Sequence, residues 1–169
     1  MRALRTRRET RDLSLRFVAP RAGVSAAALG MWERGDRHPT LLSIYTYAAA
    51  LDAQPVLKPG PDGAAPVPLD GCAPVEDTGA AGPGALPIVR QLRAGRHARE
   101  WSSRDLAARI RMSGAAVAAW ERGDRHMLLP VARAYAAALG YSLDLAAARP
   151  GLAGVVRAAR DTTPRRDAA

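Results

Sequence analysis

The sequence predicts an all-α protein made of two small helical bundles joined by a linker, and three observations carry that prediction. The heptapeptide Trp-Glu-Arg-Gly-Asp-Arg-His occurs twice, at Trp32 to His38 and Trp120 to His126, inside stretches that align without a gap at an offset of 88 residues. Apolar residues within each stretch recur at helical spacing, and no segment alternates with period two for long enough to suggest a sheet. Between the stretches, residues 53–87 hold Pro55, Pro59, Pro61, Pro66, Pro68, Pro74, Pro83 and Pro87 among Gly and Ala, a composition read as a linker. The domains expected are 1–52, the linker 53–87, 88–145 and a basic tail 146–169, with about five helices in each bundle.

The offset pairs Leu4 with Leu92, Arg8 with Arg96, Arg11 with Arg99, Arg16 with Arg104, Ala19 with Ala107 and Arg21 with Arg109. Ser14 and Ser102 stand before apolar-periodic runs as N-caps, and Ser25 and Ser113 form the next pair of caps. Only a tight turn separates the two helices so opened in each copy, which is helix-turn-helix geometry. Leu41, Ile44, Tyr45, Ala48 and Leu51 then mark one face of a further helix, matched by Leu129, Ala132, Ala136 and Leu139. Leu152 to Val156 read as a frayed helix before a disordered basic end.

Charge narrows the partner. The net charge is +9, nearly all of the positive charge is arginine, and Lys58 is the one lysine. Segments 1–52 and 88–145 carry +4 and +5 while 53–87 carries −3, so basic modules flank an acidic joint and the modules attract polyanions. A single cysteine, Cys72, excludes an internal disulfide, argues against a cysteine-built zinc site and fits a reducing compartment. No uncharged run approaches the roughly 20 residues needed to span a bilayer, so the expectation is a soluble, cytoplasmic, nucleoid-associated protein without a membrane partner.

In order and spacing, Arg8 to Ser14, Val18-Ala19, Gly23-Val24-Ser25, Leu29, Trp32-Glu33-Arg34-Gly35, Pro39 and Leu51 resemble the lambda-repressor-like (Cro or Xre type) helix-turn-helix family. Arg96, Arg99, Trp101-Ser102, Asp105-Leu106-Ala107, Met112-Ser113, Val117, Trp120 to Gly123 and Leu139 repeat the resemblance. It implies recognition helices from about Ser25 to Glu33 and Ser113 to Glu121, whose N-terminal ends enter the major groove of double-stranded DNA. It also implies structural ion pairs Arg8–Glu33 and Arg96–Glu121, with Trp32 and Trp120 in the core beneath them. Gly35 and Gly123 would end the recognition helices in a left-handed conformation.

The DNA-contacting residues implied are the caps Ser14, Ser25, Ser102 and Ser113, and the loop residues Arg34, Arg37, His38, Arg122, Arg125 and His126. The loop arginines suit phosphate, because a planar guanidinium donates two parallel hydrogen bonds. The base-reading positions depart from the expected chemistry. They hold Ala26, Ala27 and Met31 in one copy and Gly114, Ala115 and Ala119 in the other, so the polar groups that read base edges are missing. Leu15 and Ser103 replace the family's polar residue after the cap. Pro20 falls within the second helix of the first copy, and Arg111 stands where that copy has Gly23.

The function expected is a bacterial transcriptional regulator with dominant phosphate contacts and weak base readout. The alternative is a protein-interaction module, antitoxin-like, on a drifted fold, with alanine-rich helices packing on a protein partner. A flexible 35-residue linker would span about 33 Å, near the roughly 34 Å between half-sites one turn apart. No enzyme, cofactor or metal site is expected. His38 and His126 lack companion ligands, and the run Gly79 to Gly84 lacks the Lys-Ser/Thr of a phosphate loop. The Arg-Gly-Asp tripeptides are read as coincidence.

Overall fold

A computed structural model describes residues 1–60 and 85–162. The first copy comprises α1 (Arg2–Glu9), α2 (Leu15–Ala22), α3 (Ala26–Arg34), α4 (Leu41–Ala49) and β1 (Ala53–Pro59). The second comprises α5 (Pro87–His97), α6 (Ser103–Ile110), α7 (Gly114–Arg122), α8 (Leu129–Ala138) and β2 (Tyr141–Ala147), followed by α9 (Leu152–Thr162). Each copy therefore has four helices and a strand, not five helices, and the protein is mostly helical but not all-α.

The strands pair antiparallel, from Ala53 opposite Ala147 to Pro59 opposite Tyr141. The prolines that make residues 53–59 look like linker are compatible with this ladder for a geometric reason. Flanking bonds from Gly60 N to Gly140 O (2.8 Å) and Ala148 N to Asp52 O (3.2 Å) fix the even-numbered residues of β1 as the hydrogen-bonded positions. Pro55 and Pro59 occupy the other positions, where an N–H would point away from β2. The odd-numbered face presents Ala53, Pro55 and Leu57 opposite Ala147, Leu145 and Leu143, and of these Ala53, Leu57, Leu143 and Leu145 pack against the helical core. Of the expected linker, residues 61–84, with Cys72 and the run Gly79 to Gly84, lie outside the described residues, as does 163–169 of the expected tail.

The register has a further property. Val56 faces Asp144, and these are equivalent residues of the two copies at the 88-residue offset. The isolated bridge between Thr40 and Leu128 also joins equivalents. Around it, Leu41 N donates to Met127 O at 2.8 Å and Leu129 N to Pro39 O at 2.9 Å, again a matched pair of bonds. Two separate pairings of equivalents define a two-fold axis, so the copies form a pseudo-dimer within one chain.

The core follows the same exchange. Leu41 of the first copy is buried in a cluster with Leu92, Leu106, Val117, Trp120, Tyr135 and Leu139 of the second. Its equivalent Leu129 is buried among Leu4, Val18, Leu29, Trp32, Ile44 and Leu51 of the first. Helix α9 is a folded element, not a frayed one: Leu152, Val156 and Ala159 are buried in the cluster that holds Leu41, α9 packs against α4, and Arg160 donates to Ala22 O at 2.8 Å.

Backbone strain is shared between copies too. Asp12 and Glu100, then Gly23 and Arg111, then Asp52 and Gly140, then Gly35 and Gly123 are equivalent pairs with positive φ. Arg111 adopts φ 55° in the left-handed region that Gly23 adopts at 68°, which for a non-glycine costs on the order of 1 kcal/mol. Pro20 does not break α2; the helix continues to Ala22 and is closed by Gly23.

Because each copy places a leucine in the other's core, unfolding should be a single cooperative event. Leu41→Ala is expected to cost about 2–5 kcal/mol and to lower together the chemical-denaturation midpoints read by circular dichroism and by tryptophan fluorescence. Two resolved transitions, one left unshifted, would show that the copies fold independently.

Candidate nucleic-acid interface

The helices at the positions expected for recognition are α3 and α7, one residue displaced from the expected spans. Each is opened by a serine whose hydroxyl oxygen accepts a backbone N–H three residues on: Ser25 from Ala28 N and Ser113 from Ala116 N, both at 3.1 Å. Ser14 and Ser102 do the same for α2 and α6, accepting from Phe17 N and Asp105 N at 3.2 Å. The Asp105 carboxylate accepts in return from Ser102 N at 2.7 Å, completing a capping box in the second copy. In each case the cap uses the oxygen as acceptor, and these exposed hydroxyls donate to no group among the described residues. Gly35 and Gly123 close the helices at φ 88° and 83°.

What aims each recognition helix is a three-residue cluster. Arg8 grips Glu33 with two hydrogen bonds, Nε to Oε1 at 2.8 Å and Nη2 to Oε2 at 2.7 Å. Its third nitrogen reaches Leu13 O at 2.8 Å, and the Tyr47 hydroxyl donates to Glu33 Oε1. The second copy repeats the cluster: Arg96 meets Glu121 at 2.7 and 2.6 Å and Trp101 O at 2.5 Å, with Tyr135 donating at 2.6 Å. The carboxylate thereby ties the first, third and fourth helices together, and the arginine ties in the loop after the first helix. Sequence reasoning does not single out the tyrosines, although Tyr47 and Tyr135 sit at the repeat offset. Trp32 and Trp120 are buried in the two clusters.

Burial alone would raise the Glu33 carboxyl, but the hydrogen bonds from Arg8 and Tyr47 hold it below the ordinary glutamate range. Burial and the neighbouring carboxylate push Tyr47 well up, and the same causes raise Tyr135. The copies differ at one neighbour. Glu9 lies 3.4 Å from Arg8, whereas its equivalent His97 lies 3.1 Å from Arg96, and burial with Arg96 and Arg93 lowers the histidine.

The loops past the recognition helices keep their arginines exposed. Arg34 is paired with Asp36 and Arg122 with Asp124, both through Nε at 2.8 Å, so part of that charge is met locally. Arg37 and Arg125 have no carboxylate partner among the described residues and are the uncompensated cations of the two loops. His38 is exposed. His126 is half-buried, hydrogen-bonded to the backbone of Ala159 in α9, and lowered by that burial. The two loops are therefore unequal.

Ala27 and Ala115 are exposed near the helix starts, with Ala26, Met31, Gly114 and Ala119 partly so. None supplies a hydrogen-bonding side chain. Other arginines are drawn into structure. Arg11 and Arg99 cap the ends of α4 and α8 through Leu51 O and Leu139 O, both at 2.9 Å, while Arg21 stacks on Phe17 and Arg109 on Trp101. Arg16 and Arg104, in the first turns of α2 and α6, remain exposed and without a partner among the described residues. Sequence reasoning does not flag them as contacts, although both copies keep arginine there.

Two tandem helical modules, each with a capped recognition helix and an arginine loop, define the class of this protein. The family model for Helix-turn-helix matches residues 4–57 and 89–145, one match per copy and together more than half of the chain. The chain belongs to the helix-turn-helix family, of the Cro/Xre type, in two tandem copies. No curated protein and no solved structure matches it. No helix among the described residues is long and apolar enough to cross a membrane.

The carboxylate clusters generate a pH prediction. Glu33, depressed when folded, contributes stability that is present above the unfolded glutamate value of about 4.3 and is lost as pH falls through the lower folded value. The Glu33 contribution to the unfolding midpoint should be flat above about pH 5 and fall below it, on top of a gentler decline below about pH 7 from His97 and His126, which are lowered in the folded protein. Glu33→Gln should cost about 3–5 kcal/mol at neutral pH and reduce the acid-side slope; a slope identical to wild type would remove Glu33 from this role.

Proposed function

We propose that this chain is a DNA-binding regulator whose two modules, held in one two-fold body, sit on two inverted half-sites and grip them mainly through arginine–phosphate contacts. The observation that supports the reading is the pairing of equivalents, Val56 with Asp144 and Thr40 with Leu128. Helices α3 and α7 are thereby related as the recognition helices of a symmetric dimer are, and such a dimer matches a pseudo-palindrome. Orientation comes from the strand pairing and the shared core, not from the length of a flexible linker.

Phosphate contact falls to Arg37 and Arg125 first, since Arg34 and Arg122 are partly compensated by Asp36 and Asp124. His38 and the hydroxyl hydrogens of Ser14, Ser25, Ser102 and Ser113 add donors in the same helix-turn-helix units. His126 faces α9 and is left out of this set. Ala26, Ala27, Met31, Gly114, Ala115 and Ala119 leave close approach and thymine-methyl contact as what the recognition helices themselves offer.

Wild-type protein should bind duplex DNA at one chain per site, with affinity falling steeply between about 50 and 200 mM salt. Arg37→Ala combined with Arg125→Ala should reduce the log–log salt slope by roughly two, about one for each phosphate no longer neutralised. An unchanged slope would sink the phosphate assignment. No binding even at low salt would favour the protein-interaction reading.

A further inference from the structure

The base-reading positions of α7 lack polar side chains, yet one cation stands beside them. A Cβ built on Gly114, the first residue of α7, would lie 3.2 Å from Arg104 Cγ and 3.6 Å from Arg104 Cα. The stem of Arg104 thus lies against the opening turn of the recognition helix, in space that the missing side chain leaves. Arg104 is exposed, and its guanidinium has no hydrogen-bond or carboxylate partner among the described residues.

Several neighbouring arginines are committed elsewhere, whereas Arg111, exposed at the turn between α6 and α7, has no such partner among the described residues. Arg109 stacks on Trp101, Arg99 reaches Leu139 O, Arg96 is committed to Glu121, and Arg122 pairs with Asp124. The Asp105 carboxylate, adjacent in sequence, is occupied by the capping box. In the first copy Ala26 stands where the second has Gly114, and Arg16 where it has Arg104. The first copy thus carries a side chain at the helix-start position that the second leaves open.

We propose that Arg104 is the base-reading residue of the second module: its guanidinium crosses the opening turn of α7 at Gly114 and recognises a guanine in one half-site. The inference rests on the DNA reading above. Guanine presents O6 and N7 as two acceptors in the major groove, and a planar guanidinium fork matches both at once. Arg16 lacks the open helix start, so the preferred site is asymmetric, with one half specified more tightly than the other. That asymmetry would set which way round the two-fold body lies on DNA.

The test is selection from a random duplex pool with the full chain, followed by titration on the selected site and on single-base variants, at fixed salt. Wild type should prefer a G·C pair at one position of one half-site by about 5- to 150-fold. Arg104→Ala, and also Arg104→Lys, which keeps the charge but removes the fork, should abolish that preference there while retaining base preferences elsewhere. Gly114→Ala should weaken the same preference several-fold, and Arg16→Ala should leave it in place. Unfolding midpoints of all variants check that the fold survives.

Loss of affinity for every sequence alike in Arg104→Ala, with a shallower salt slope, would make Arg104 a phosphate contact and overturn the proposal. An unaltered preference would overturn it as well. Salt-sensitive wild-type binding with no preferred base defeats this inference alone, whereas absence of DNA binding at low salt defeats the reading beneath it.

Discussion

Pairing of equivalent residues across one axis is the constraint on which the rest of this molecule depends. Val56 opposite Asp144 and Thr40 opposite Leu128 fix the axis, and the reciprocal burial of Leu41 and Leu129 makes each half necessary to the other's core. A two-stranded ribbon alone is marginal in water. Here its apolar face is covered by helices of both halves, and covalent connection makes their association independent of concentration. A dimer of identical chains must have identical halves, but a fused pair can diverge.

The divergence has a pattern. The clusters that aim the recognition helices are kept nearly atom for atom, Arg8–Glu33–Tyr47 and Arg96–Glu121–Tyr135. Difference accumulates around them: Glu9 against His97, Gly23 against Arg111, Ala26 against Gly114, an exposed His38 against a covered His126. Helix α9 is a large source of asymmetry, since it packs along α4 and reaches both Ala22 of the first half and His126 of the second. Those differences between equivalent residues lie at helix ends and in loops, while the aiming clusters are preserved.

Much of each half is legible in the sequence because it is specified locally. Serines three residues ahead of a backbone N–H announce caps, glycine after the repeated Trp-Glu-Arg announces a left-handed terminus, and the i, i+3, i+4 spacing from Leu41 marks a buried face. The Arg–Glu pairs follow from the family resemblance, while their tyrosine partners, fourteen residues beyond the glutamates, leave only a repeat-offset identity as a signal. The strands escape sequence reasoning because Pro55 and Pro59 argue against a ladder unless their position in the hydrogen-bond alternation is known. That position is set by a partner strand far along the chain. The axis itself is invisible in sequence, since a repeat offset tells which residues correspond but not that corresponding residues touch.

The most direct test of the two-fold body is a distance measurement between spin labels at Ala27 and Ala115, equivalent exposed positions on the two recognition helices, with Cys72 replaced by serine. Pairing across the axis predicts one narrow distance distribution, the same with and without DNA. A broad distribution in free protein would contradict it, showing two modules that move independently on a tether.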